Sequence, residues 1–426
     1  MKKLASILIV MLASFALLAT GSSESSSDGR VTITIGEHVA NIETQSPHVA
    51  KIISGFLAEN PDVDIQVSGS EVSEHLTKMR LAAQNDSLPD IIWLEQPIAK
   101  EMAAAGYLHD MTDDLESYGI NDSLLPGLVH SCTVDGRDYG LPSEIMMVGF
   151  FYNKTMFDEL GLSEPETFDE FISVIDSIHA AGITPIAIGA RSNYSVWAFQ
   201  SMLTRYGFFE KLPALESGEL SWVNDDFIHF FEKVATMRDH HAFSTNVATQ
   251  DYFEAKEIFL AGNAAIFNSG AWDIAAFEAS PIAHEMGFFW GPTFTDGVGD
   301  QRIAIKTSGG VYCISEKAAK DPAKLDAIMR FFSYYYGEPG TKIIAEETFA
   351  LPTSRYDGQI DESQHPVLSE MIKKLNDDWA STKEPFSSLS TNVGNTLFDA
   401  IFGVINGIYT PEQACQVVED AMALER

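Results

Sequence analysis

Positive charge is scarce in this chain. Its 426 residues include 27 Lys and Arg against 61 Asp and Glu, a formal net charge of −34. Such a surface repels phosphate backbones and anionic membranes, which excludes nucleic acid as a partner. Cysteine is scarcer: Cys132, Cys313 and Cys415, an odd number with no two close in sequence. No metal-ligand spacing is present, so neither a disulfide nor a metal centre is expected. Cys313 lies in an apolar run and reads as a small core residue. The adjacent pair His240 and His241 makes a poor chelate, because neighbours on a helix point to different faces. No internal repeat is visible, and no cofactor is expected.

Long apolar runs are also missing, with one exception. Leu4 to Leu18 is broken only by Ser6 and Ser14, follows Lys2-Lys3 and precedes Ala19-Thr20-Gly21. A basic start, a short apolar stretch and small residues at a cleavage site are the pattern of an export leader, residues 1–21. The run is short for a membrane span. Residues 22–29 are Ser-rich and polar, a flexible tether.

The remainder has globular composition, 45% hydrophobic and 21% charged, with length for two domains or more. Val31–Ile35 alternates as a strand does. Val49, Ile52, Ile53, Phe56 and Leu57 make one apolar helix face behind Ser46-Pro47, and Asn60-Pro61 ends it. A strand (63–67), a helix (71–85) and a third strand (91–94) follow. This alternation predicts parallel βαβ units with right-handed crossovers. Ligands of such sheets collect beyond the carboxyl ends of the strands. The rule selects Glu37, His38, Asn41, Glu95 and Gln96.

Further on, Asp135-Gly136 signals a hairpin. Thr167 and Glu170 form a capping box. Trp197 opens a helix just past a strand end. Met286–Pro292 reads as a connector back to the first lobe, and Ser308-Gly309-Gly310 sits between two strand-like halves. In Asp251–Ala279, a helix stops at Gly262 and a buried strand covers Ala264–Phe267. Asn268-Ser269-Gly270 then reads as a turn that presents Trp272 at a helix start.

The order F-x-x-G-x-A-A-x-x-x-x-G-x-W from Phe259 to Trp272 resembles the extracellular solute-binding proteins of ABC importers, family 1, the sugar-binding group. Other pieces stand in that family's order: Pro89-Asp-Ile-Ile, Gly106-Tyr-Leu-His-Asp110, Asp135-Gly-Arg-Asp-Tyr-Gly-Leu-Pro142, Phe151-Tyr-Asn-Lys154, Pro165-Glu-Thr-Phe-Asp-Glu170 and Thr410-Pro-Glu-Gln-Ala414. The resemblance implies a two-lobed α/β periplasmic-binding-protein fold of type II, each lobe a mostly parallel sheet flanked by helices. The lobes would comprise 30–141 with 293–350, and 142–292 with 351–426. It also implies capture of a sugar or oligosaccharide between the lobes, hinge closure, and delivery to a permease by a monomer without enzymatic activity. Trp272 and Trp197 would stack on sugar faces. His38, Asn41, Glu95 and Glu144 would bond hydroxyls, Gly309 and Gly310 would offer backbone contacts, and Asn392–Asn395 would form a rim. The family's frequent Trp at the first strand end is replaced here by Gly36-Glu37-His38. Its lipid-bearing Cys is replaced by Gly21 after Leu18-Ala19-Thr20, so a freely soluble periplasmic protein is expected. The rival readings are a binder of another small solute for transport or chemotaxis, and a periplasmic glycoside-processing enzyme built on two carboxylates.

Overall fold

The computed structural model describes residues 29–426 except 126, 191, 192, 245 and 357. The leader 1–21 and tether residues 22–28 lie outside the described residues. The strands in chain order are β1 (Val31–Glu37), β2 (Val63–Gly69), β3 (Ile91–Leu94), β4 (Cys132–Val134), β5 (Arg137–Pro142), β6 (Ile145–Asn153), β7 (Thr184–Ala187), β8 (Ala264–Gly270), β9 (Met286–Phe289), β10 (Ile303–Ser308), β11 (Val311–Ile314) and β12 (Ala380–Thr382). They form two sheets, one per lobe. The first has the order β2-β1-β3-β11-β5-β4, and the second β12-β10-β6-β8-β7 with β9 also on β6.

In the first lobe, β1 runs parallel to β2 and to β3, as βαβ units require. Helix Pro47–Glu59 buries Val49, Ile52, Ile53 and Phe56 on the expected face. Helix Pro322–Tyr336 packs with it, so Phe331 lies edge-on to Phe56 with ring centroids 5.4 Å apart. Cys313 is fully buried in β11, as its apolar run suggested. The second sheet is buried on both faces. Along β6, Val148, Phe150 and Tyr152 enter one apolar cluster and Met147 and Phe151 another. Every residue of β6 is buried, the pattern of a strand covered by helices on both sides.

Four expectations change. The sheets are mixed rather than mostly parallel, each with two parallel and three antiparallel pairings among the described residues, because β11 and β6 enter against the strands they join. Met286–Phe289 is not a connector: it is β9, antiparallel to β6 and still in the second lobe. The halves around Ser308-Gly309-Gly310 are strands, but in different sheets, since β10 pairs with β6 and β11 with β3. The return to the first lobe therefore falls at Ser308–Val311, not near residue 293. Finally, Asn268-Ser269-Gly270 is not a turn. These residues complete β8, opposite Val148, Gly149 and Phe150, and the chain bends only at Ala271–Asp273.

Candidate binding site between the lobes

Register decides which ends of the two sheets meet. In the first sheet Val311 lies opposite both Leu94 and Pro142, while Gly36 pairs with Ile92. The carboxyl ends of β1, β3 and β5 thus share an edge with the start of β11. In the second sheet Ser308 lies opposite Ile145, Gly270 opposite Val148, and Ala187 beside Phe267. The ends of β10, β8 and β7 thus share an edge with the start of β6. The chain passes between these edges at Pro142–Ile145 and again at Ser308–Val311, so the two edges face each other across the crossings.

The crossings are tied together. The Ser143 amide and hydroxyl both donate to the Gly310 carbonyl, at 3.0 and 2.8 Å. The Gly309 amide donates to the Glu144 carbonyl at 3.2 Å, and Gln96 Nε2 donates to the Ser308 carbonyl at 2.9 Å. Trp93 Nε1 donates to Ser143 Oγ at 3.0 Å. Glycine is needed at 310 because a Cβ there would lie 2.2 Å from the Trp93 ring. Gly309 and Gly310 therefore pack the crossing. The Gly309 amide, the Gly309 carbonyl and the Gly310 carbonyl are each bonded within the protein.

On the first-lobe edge, His38 stacks on Trp93 with centroids 3.8 Å apart and planes 17° apart. Glu37 is fully buried; it accepts from the Tyr312 hydroxyl at 2.7 Å and lies 3.3 Å from His38 Nδ1. His75 donates to the Trp93 carbonyl at 2.8 Å. Burial pushes the Glu95 carboxyl up to about 7, against the opposing pull of Arg80 and His38. Burial also raises Glu144, with His38 opposing and Glu37 adding to it. His48 is pushed down to about 4 by burial, opposed by Glu37. His38 thus lies near enough to Glu95, Glu144 and His48 to influence each of them. Among the described residues, neither the Glu95 nor the Glu144 carboxyl has a hydrogen bond or ion pair.

The second-lobe edge is aromatic. Trp272 follows β8 directly and is half-buried. Its indole meets Trp197 edge-on, at 5.6 Å and 82°. Trp197 lies parallel to Phe398 at 6.4 Å and 2°, and close to Phe386. A Cβ at Gly270 would lie 2.4 Å from the Trp272 ring, so only glycine lets the indole fold back over the strand end. Buried amides hold the aromatic elements. Asn268 accepts from the Ala198 amide at 2.9 Å and donates to the Ser195 carbonyl. Gln200 accepts from the Phe386 amide at 3.0 Å.

Of the expected site residues, His38, Glu95 and Glu144 come together, and Trp197 meets Trp272. Asn41 is exposed and caps the helix Ile42–Gln45 through the Thr44 amide, 3.1 Å away, beside Val67 and Gly69. Asn395 is exposed on the helix Thr391–Ile405; Phe398, almost one turn on, is the residue of that helix that reaches Trp197. Sequence reasoning missed Trp93, Phe386, Phe398 and Tyr252. Trp93 was hidden inside the apolar strand Ile91–Leu94, where nothing distinguishes a cleft aromatic from core. Among the described residues no group of His, Cys, Asp and Glu is placed to hold a metal ion. No described helix is long and apolar enough to cross a membrane.

The model of the bacterial extracellular solute-binding protein family matches residues 43–342. The chain belongs to this family. Among relatives of this solute-binding protein, the "Multiple sugar-binding protein" of Streptococcus mutans is 23% identical over 350 residues, 78% of this chain and 80% of the relative. The "Maltodextrin-binding protein MdxE" of Bacillus subtilis is 22% identical over 433 residues, 99% of this chain and 97% of its own length. A solved "Chitin oligosaccharide binding protein" superposes with a TM-score of 0.82 at 22% identity, covering 93% of this chain and 98% of that one. At that identity the likeness speaks for the two-lobed fold.

Proposed function

We propose that this solute-binding protein captures a sugar or oligosaccharide between its lobes and delivers it to the permease of an ABC importer. The observation that carries the reading is the pairing of chemistries across the crossings. Trp197 and Trp272 present aromatic surface on one edge; Glu95 and Glu144 present carboxyls without protein partners on the other. Sugars have apolar ring faces and hydroxyl-bearing rims, so they match such a site on both counts. The sugar-binding relatives support the same ligand class. The protein works outside the cytoplasm, which the family and the leader pattern of residues 1–21 support. The lobes divide at the crossings, as 30–142 with 309–350 and 143–308 with 351–426.

A thermal-shift screen against a panel of mono- and oligosaccharides tests this. A ligand at a hundred times its dissociation constant adds about 2.7 kcal/mol of stability. A panel with no stabilising sugar, alongside a stabilising amino acid, peptide or polyamine, would replace the ligand class. A glycoside-processing enzyme is disfavoured by the two carboxyls themselves. Acid and base roles need two groups whose environments drive them apart, and here burial raises both. Hydrolysis products after incubation with the stabilising oligosaccharide would restore the enzyme reading.

A further inference from the structure

The indole of Trp272 sits on a buried polar chain. Trp272 Nε1 donates to the Tyr252 hydroxyl at 2.8 Å. That hydroxyl donates in turn to Asp273 Oδ2, and it lies 2.6 Å from Ser269 Oγ. Ser269 Oγ donates to the same carboxyl oxygen at 2.7 Å. Lys256 Nζ reaches the other carboxyl oxygen at 3.0 Å. Tyr252, Ser269 and Asp273 are 2%, 0% and 4% exposed. A buried ion pair is weak ground for stability, since desolvation offsets most of its attraction. It does fix direction. The Lys256 ammonium faces Asp273, and the Asp273 carboxylate accepts the hydrogen bond of the phenol, which stays protonated. The phenol oxygen is thereby left as an acceptor towards the indole. An indole N–H is only ever a donor, so one orientation of the ring satisfies the chain. Burial and the Asp273 charge hold the Tyr252 phenol well above its ordinary 10, so it keeps its proton at any physiological pH. Gly270 closes the approach from the strand side.

We infer that Tyr252, Asp273 and Lys256 are positioning residues for Trp272, holding its indole face in the orientation that receives the sugar ring. This rests on the sugar reading above. Tyr252 and Asp273 touch no ligand; they act through the ring. A ring free to turn about its χ2 bond would present its face for only part of the time, and stacking would weaken accordingly.

The test is a double-mutant cycle read by calorimetry, with the sugar that the thermal screen selects. Tyr252→Phe should weaken binding about fivefold, the equivalent of one hydrogen bond. In a Trp272→Phe background, which has no N–H to orient, the same change should cost nothing further. Equal loss in both backgrounds would mean a general structural role, and no loss in either would remove the role altogether; both outcomes overturn the inference. If Tyr252→Phe does not fold, Lys256→Met makes the same cycle from the far end of the chain. A ligand-free readout separates this inference from the sugar reading. The indole N–H resonance of Trp272, assigned by its absence in Trp272→Phe, should move and exchange faster with solvent in Tyr252→Phe. An unmoved resonance overturns the inference whatever the ligand proves to be, whereas failure of every sugar to bind leaves this arm standing.

Discussion

Glu95 shows how much one side chain sets at this site. Its carboxyl is pushed up to about 7 by burial. In the unfolded chain it ionises near 4.5. Below that value both states hold the proton, and folding is indifferent to it. Between 4.5 and 7 only the unfolded state releases the proton, so stability falls as pH rises, and the loss is complete above 7. Glu95→Gln should therefore be more stable than the parent by roughly 1–3 kcal/mol at pH 8 and no different at pH 4. Urea unfolding at the two pH values checks this; an equal offset at both would refute it. Trp272→Ala should weaken sugar binding more than tenfold while leaving the fold intact, at a lower unfolding midpoint, because the partly buried indole packs on both apolar clusters of its lobe and bonds the Tyr252 hydroxyl. Calorimetry beside a melting curve decides it. Residues at this scale were legible where a strand end announced them, as at His38 and Glu95. They were illegible where the same residue type also suits a core. Gly309-Gly310 was noticed for its capacity for close approach, and the groups that approach within the chain are Glu144 at Gly309 and Trp93 at Gly310.

Elements with local grammar were readable in advance. Thr167 and Glu170 make the reciprocal cap of the helix Phe168–Ala180. Asp135 and Gly136 take φ of 50° and 78° in the hairpin between β4 and β5. Both follow from bonds made within a few residues. The fates of β9 and β10 did not. An apolar tetrapeptide with Gly and Pro nearby fits a connector as well as a strand, and only pairing with β6 separates the two. The strand halves around Ser308 were likewise visible, while their membership of different sheets was not, because pairing is not written locally. The extension of β8 through Asn268-Ser269-Gly270 has a consequence for binding. Asn268 is buried at the strand end and holds the start of the helix Trp197–Thr204 through the Ala198 amide and the Ser195 carbonyl. Asn268→Ala would strand both groups, at about 1–3 kcal/mol for each left unpaired. The expected result is a lower denaturation midpoint together with weaker sugar binding, since Trp197 loses its anchor. Lower stability with unchanged affinity would show that Trp197 is held by its aromatic neighbours alone.

At the scale of the molecule, two buried cores are joined by few covalent strands. Around residue 350 the chain passes from one core to the other: Ala350 still packs against the first lobe's cluster, while Phe349 and Leu351 already join a cluster of the second. Together with Pro142–Ile145 and Ser308–Val311, this gives three crossings. The first two are tied to each other by hydrogen bonds of Ser143 and Gly309, and Gln96 holds the second. Such a seam lets rigid bodies rotate while each core stays intact. On the proposed reading, a sugar that stacked on Trp197 and Trp272 in one lobe and bonded Glu95 in the other would gain its full contact only when the edges approach, so binding would be coupled to closure. The ligand should lower the radius of gyration in small-angle scattering, and Trp272→Ala at saturating sugar should leave the protein more open than the parent. Saturable binding with an unchanged scattering profile would mean that one lobe holds the sugar alone. Charge sharpens the same test. The chain carries −34 overall, and the edge that faces the aromatic floor carries Glu37, Glu95 and Glu144. An acidic sugar of the same ring size should bind more weakly than its neutral counterpart and gain affinity as salt screens the repulsion, while the neutral sugar should be nearly indifferent to salt. Tight, salt-insensitive binding of a uronate would contradict this, because it would require a cation beside the three carboxyls.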